Sequence, residues 1–255
     1  MITISGTLIL NGNLTSNEGI EITSTGIVIP VPDVETKNSF FSYQSNSYIW
    51  SNGQGRCLTS TTGNIRLDGL IDGRLQGFTS NQGPGANSTL IDSSGNILQG
   101  YGATHAGLGA LFNPINSIPP PKSPYGFRES PVSLGSGGGF YTADSSSIFT
   151  FGEYVIGGGA IKIVAPSGSI RIDGDIIMDG QSSIHAGGAA GGSVWLVGWN
   201  VTGDGMISAN GGTTLAPINA GGGGGGYISV WYEKSYSFSG TMSVTGQSDG
   251  KVFIK

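Results

Sequence analysis

The sequence predicts an all-β protein, a right-handed parallel β-helix (a solenoid) with glycine-rich loops packed on one flank. Three observations lead there. First, a seven-residue pattern recurs: glycine, any residue, apolar, any, apolar, small polar, glycine. Its copies are Gly6–Gly12, Gly63–Gly69, Gly168–Gly174, Gly174–Gly180, Gly205–Gly211 and Gly240–Gly246. Apolar residues two apart share one face of a strand. The flanking glycines and the Asn, Asp or Thr before the second one suit sharp corners. Second, Ile161-Lys-Ile-Val, Val194-Trp-Leu-Val and Ile228-Ser-Val-Trp each follow a glycine run, with starts 33 and 34 residues apart. Third, the 255 residues include 47 glycines, yet 37% are apolar and only 11% charged. Disorder needs few apolar residues and high net charge, so this glycine belongs to a packed structure.

The elements follow in order. Residues 1–77 are read as N-terminal strands and a cap. Ile2/Ile4, Leu8/Leu10, Ile20/Ile22 and Ile27/Ile29 alternate between Gly, Asn and Ser, and Pro30 and Pro32 close the run. Residues 33–60, with Phe40, Phe41, Tyr43, Tyr48 and Trp50, are expected to cap the solenoid end. The glycine-framed strand 63–69 continues through Leu70-Ile-Asp and Leu75. Residues 78–160 are an insertion expected to fold against one face of the solenoid. Pro114, Pro119, Pro120, Pro121, Pro124 and Pro131 exclude helix there, and Tyr101, Phe112, Tyr125, Phe127, Phe140 and Tyr141 give it something to pack with.

Residues 161–255 carry the explicit repeat. Aligning its units stacks Ile163, Leu196 and Val230 in one row and Ile176, Ile207 and Met242 in another. The runs Gly135–Gly139, Gly187–Gly192 and Gly221–Gly226 recur in register, as flexible linkers need not. Side-chain-free segments can approach closely enough to exchange backbone hydrogen bonds. Lys251-Val-Phe-Ile begins a further coil.

The net charge of −5 and the scarcity of Lys and Arg argue against a nucleic-acid surface. No apolar run approaches the roughly 20 residues of a membrane span. Cys57 is the single cysteine, so no intrachain disulfide can form, and a buried small hydrophobe is its ordinary role. Met1-Ile-Thr-Ile-Ser lacks the basic start and long apolar stretch of a secretory signal. Either such a signal is absent from this chain or export takes another route, as for a virion component.

Tyr101-Gly-Ala-Thr-His-Ala-Gly107, Pro124-Tyr-Gly126, Leu134–Gly139, Gly158–Ile163, Ile207–Gly212 and Gly222–Val230 stand in an order that resembles the glycine-rich repeat modules of large bacterial and protist surface proteins. The resemblance spans about residues 95–232. It implies an exposed, repetitive, non-catalytic architecture. The proline-rich stretch 113–124 and the short length depart from the usual pattern.

Candidate chemistry is sparse. Asp68, Asp72, Asp173, Asp175 and Asp179 could form the acid pair of a polysaccharide hydrolase, whose carboxyls stand roughly 5–10 Å apart. Asp68, Asp173, Asp179 and Asn210, however, occupy the polar slot before glycine, where turn chemistry explains them. His105 and His185 have no nearby third ligand, and the calcium-binding nonapeptide pattern is absent, so no metal and no cofactor are expected. Asn13-Leu-Thr, Asn87-Ser-Thr and Asn200-Val-Thr are possible N-glycosylation triplets.

The expected function is a non-enzymatic structural subunit of an extracellular or surface fibre, at a cell or a virion, whose partner is itself. Ile2, Ile4, Leu8 and Leu10 form the candidate self-assembly strand region, because the chain starts within a strand that little blunts. The competing account makes residues 1–12 simply the first coil of their own stack. The alternative function is a fibre tip that binds or cleaves surface glycans through Trp195, Trp199, Trp231 and Tyr232.

Overall fold

The computed structural model describes residues 1–32, 55–86, 90–91, 97–110, 121–139, 141–142, 152–184, 186–214 and 220–255. Among these residues the chain is all-β and contains no helix. The first eight strands are β1 (Ile2–Ile4), β2 (Thr7–Leu10), β3 (Leu14–Ser16), β4 (Gly19–Ile22), β5 (Ile27–Pro30), β6 (Arg56–Ser60), β7 (Asn64–Leu67) and β8 (Leu70–Asp72). Two short antiparallel pairs follow, β9 (Leu90–Ile91) with β10 (Ile97–Gln99) and β11 (Tyr141–Thr142) with β12 (Gly152–Glu153). The remainder are β13 (Ala160–Ile172), β14 (Asp175–Ile177), β15 (Ser193–Gly203), β16 (Met206–Ser208), β17 (Tyr227–Phe238), β18 (Thr241–Ser243) and β19 (Lys251–Ile254).

Outside the two small pairs every strand pairing is parallel, in a nine-stranded and a six-stranded sheet. The pairings resolve into three columns of six levels. Column one runs β3, β6, then the first halves of β13, β15 and β17, then β19. Column two runs β1, β4, β7, then the second halves of β13, β15 and β17. Column three is β2, β5, β8, β14, β16 and β18. The chain visits column two, three and one in turn and rises one level on each circuit. Register shifts opposite Trp199, where β13 and β17 carry the extra residues, let one long strand serve two columns.

Period-two alternation makes one row of each column apolar, and these rows form the core. In column one, Leu14, Leu58, Ile163, Leu196, Val230 and Ile254 succeed each other in register. The stacking expected of Ile163, Leu196 and Val230 is present, and each is at most 1% exposed. Column two aligns Ile2, Ile20, Ile65, Ile170, Val201 and Tyr236. Column three aligns Leu8, Val28, Ile71, Ile176, Ile207 and Met242.

Two expectations need revision. In β5 the buried residues are Val28 and Pro30, with Ile27 and Ile29 only half-buried. The run Ile27-Val-Ile-Pro is apolar throughout, so alternation could not choose a face; pairing of Val28 with Ile71 does. The second concerns the cap: Arg56–Ser60 is a strand at level two of column one, with Leu58 and Ser60 fully buried. Its one large apolar residue, Leu58, carries too little alternation to announce a strand. The rest of the expected cap, residues 33–54, lies outside the described residues, as do Phe112 and Phe140 of the insertion.

The glycine runs lie where the chain passes from column three to column one. Gly135 N donates to Gly158 O (2.8 Å), Gly158 N to Ala190 O (3.0 Å), Gly188 N to Gly221 O (2.9 Å) and Gly191 N to Gly224 O (3.0 Å). Segments 77–82 and 102–107 join them through Phe78 N to Gly135 O (3.0 Å) and Ala103 N to Gly188 O (3.0 Å). These backbones lie too close for side chains: a Cβ on Gly138 would stand 1.8 Å from Gly187 O. The layer therefore satisfies its buried polar groups laterally, as any ordered non-repetitive backbone must.

Candidate assembly interface

Burial changes sharply at the ends of the columns. Val252 and Ile254 stand in register with Ile228 and Val230, which are fully buried, yet both are 44% exposed. Tyr236, Met242 and Val244 at the same level are half-buried against the core. Level one presents Ile2, Leu8 and Leu14, also half-buried, while Ile4 and Leu10 of the same strands are buried. The backbone follows the side chains. β1 pairs with β4, β2 with β5 and β3 with β6, so residues 1–12 do form the first level of their own stack. The other edges of β1, β2 and β3, and likewise of β18 and β19, have no strand partner among the described residues. The Met1 ammonium lies 2.6 Å from Glu18 and, by that hydrogen bond, holds the carboxyl below its usual range.

The four aromatics considered for glycan contact do not form one platform. Trp195 has the Lys162 ammonium 3.7 Å from its ring centre and the Trp231 ring 6.5 Å away, edge-on. Trp231 donates to Glu129 O at 2.8 Å and lies 6.4 Å from Phe253. Ser229 and Ser193 bind the same overlying segment, donating to Glu129 O (3.0 Å) and Ser133 O (2.7 Å). Residues 129–133 thus strap the outer face of column one, a role no periodicity signals. Trp199 sits at the register shift of β15, 40% exposed. Tyr232 aligns with buried Gly198, and its ring is 5.7 Å from Tyr236. It falls on the core-facing side of β17 at level five, 37% exposed, and not in the row of Trp195 and Trp231.

Four of the five candidate carboxylates are held locally. Arg66 Nε donates to Asp68 (2.9 Å), Arg171 Nε to Asp173 (2.5 Å), and Arg74 binds both oxygens of Asp72 (2.9 and 2.7 Å). Asp179 accepts from Asn210 N at 2.7 Å. No group of three or more His, Cys, Asp or Glu residues suited to a metal ion occurs among the described residues. Asn13 is exposed and accepts from Cys57 N (2.9 Å). Asn200 bridges two levels, donating to Ser169 (3.0 Å) and accepting from Ser235 (2.6 Å). Asn87 and His185 lie outside the described residues.

His105 is fully buried in the glycine layer, far from being an open ligand. Its Nδ1 is 2.6 Å from Gly191 O, so the neutral ring donates there. Tyr125 stacks on it at 4.5 Å and Tyr227 meets it edge-on at 5.0 Å. Burial lowers its pKa to about 4, against the smaller opposing effect of the Gly191 hydrogen bond. The unfolded chain therefore binds a proton near pH 6.5 that the folded chain refuses until about pH 4. Stability is complete above about pH 6.5 and falls with pH through that window, by about 3 kcal/mol in all. Urea melts at pH 7 and pH 4 check this. His105→Gln should lose less stability over the interval than the parent, and equal losses would contradict the assignment.

No protein-family model, no curated protein and no solved structure matches the chain.

Proposed function

We propose that this chain is a non-enzymatic structural subunit of an extracellular or surface fibre. In this reading the three columns close into a parallel β-helix, a stiff rod that joins copies of itself through its strand edges. The observation that carries it is the exposure of Val252 and Ile254 at row positions whose neighbours one level in are fully buried. Unpaired edges beside an unfinished core are what strand addition completes. Two further features support the reading. Asp68, Asp72 and Asp173 are held by the neighbouring arginines Arg66, Arg74 and Arg171, and Asp179 accepts from Asn210 N. Hydrogen bonds and close contacts in the glycine layer tie successive levels together, which suits a load-bearing rod. No helix of the described residues is long and apolar enough to cross a membrane.

The test is direct. Purified protein is followed by light scattering and negative-stain microscopy over a hundredfold concentration range. Rods that lengthen with concentration are expected. A single-chain species at every concentration would sink the proposal.

A further inference from the structure

We infer that copies dock head to tail, with level six of one chain adding in register to level one of the next. This rests on the fibre reading and specifies its joint. The two ends are matched element for element. Level six consists of the last part of β17, β18 and β19; level one consists of β1, β2 and β3. Both therefore offer one strand edge from each column, in the same order around the stack, and both sets run parallel within their sheets. Each joint forms three parallel strand pairs at once.

The rows fix the register. Following the column-one pairings one level beyond Ile254 returns to the Leu14 position. By the same reasoning Tyr236 meets Ile2, Phe238 meets Ile4 and Met242 meets Leu8. Each of the half-buried Ile2, Leu8 and Leu14 thus meets an apolar residue of the other end. A slip of one residue would turn these rows outward and bring polar residues into the core, so the register is strongly specified. Charge does not oppose it. Lys255 falls opposite Thr15, and Lys251 opposite the Asn11 position, so neither lysine faces another charge. Docking like ends would instead set Lys251 and Lys255 of two copies together, and would make the strands of the joint antiparallel.

Two measurements test the joint. Adjacent parallel strands lie about 4.8 Å apart, so six levels give an axial repeat of about 29 Å per copy. Neighbouring positions at that spacing also suit a disulfide, whose Cα atoms stand roughly 4.4–6.8 Å apart. Thr15 and Lys255 are both exposed, so cysteines there leave the core intact. With Cys57→Ser as background, the Thr15→Cys/Lys255→Cys double variant should give a ladder of covalent oligomers on oxidation, and each single variant none. Dimers from either single variant would overturn the inference by showing like ends in contact. Rods without the double-variant ladder, or with a repeat far from 29 Å, would overturn the register and leave the fibre reading standing. Absence of rods would overturn both.

Discussion

Gly192→Ala is expected to destabilise the fold by about 3 kcal/mol or more, the upper part of the range for overpacking. The new Cβ would lie 1.8 Å from Gly159 O and 2.8 Å from both C and O of Gly158. All three atoms are backbone, so no side chain can swing aside. Nor can Gly192 itself retreat: its N donates to Met178 O (2.7 Å), just past β14, and its O accepts from Tyr227 N (3.0 Å) of the next level, so it is held on both sides. Removing a glycine stiffens the unfolded chain and returns roughly 0.4–1 kcal/mol, too little to offset the clash. For a chain of this size the loss corresponds to a fall in Tm on the order of 10 °C. Gly6→Ala is the control, since nothing lies within 4 Å of a Cβ there; its effect should stay within about 0.5 kcal/mol. Equal melting temperatures for the two variants would show that the glycine layer yields.

Leu196→Ala should cost about 2–5 kcal/mol, read as a shift of the urea midpoint. Leu196 is fully buried at level four, with Ile163 on one side and Val230 on the other. Both neighbours are held by strand pairing and cannot move along the column to fill the hole. The same truncation at Ile254, in the same row but 44% exposed, should cost the isolated chain far less. If Leu196→Ala costs less than half a kcal/mol, the row is not the core. Comparing the two also separates folding from assembly, because a second copy docked at that end would cover Ile254 and leave Leu196 unchanged.

The sequence alone determined the β character, the parallel stacking of the three C-terminal units and the recurrence of glycine at one place in the repeat. These are local matters: alternation of Ile163 with Lys162 and Val164, glycine at both corners, and spacings of 33 and 34 residues. Where alternation was ambiguous or brief, pairing decided. Val28 faces inward because Ile71 stands beside it, and Arg56–Ser60 is a strand because β3 and β13 flank it. His105 could be weighed only as a ligand in the sequence, because Tyr125, Gly191 and Tyr227 reach it from as many as 122 positions away. The strap bound to Ser193, Ser229 and Trp231, and the placement of Tyr232 beside Gly198, are likewise contacts between distant segments. Most of all, the equality of the two ends was hidden. It emerges only when eighteen strand segments are counted into three columns, since which strand pairs with which is set by the burial of whole rows and not by any single stretch of chain.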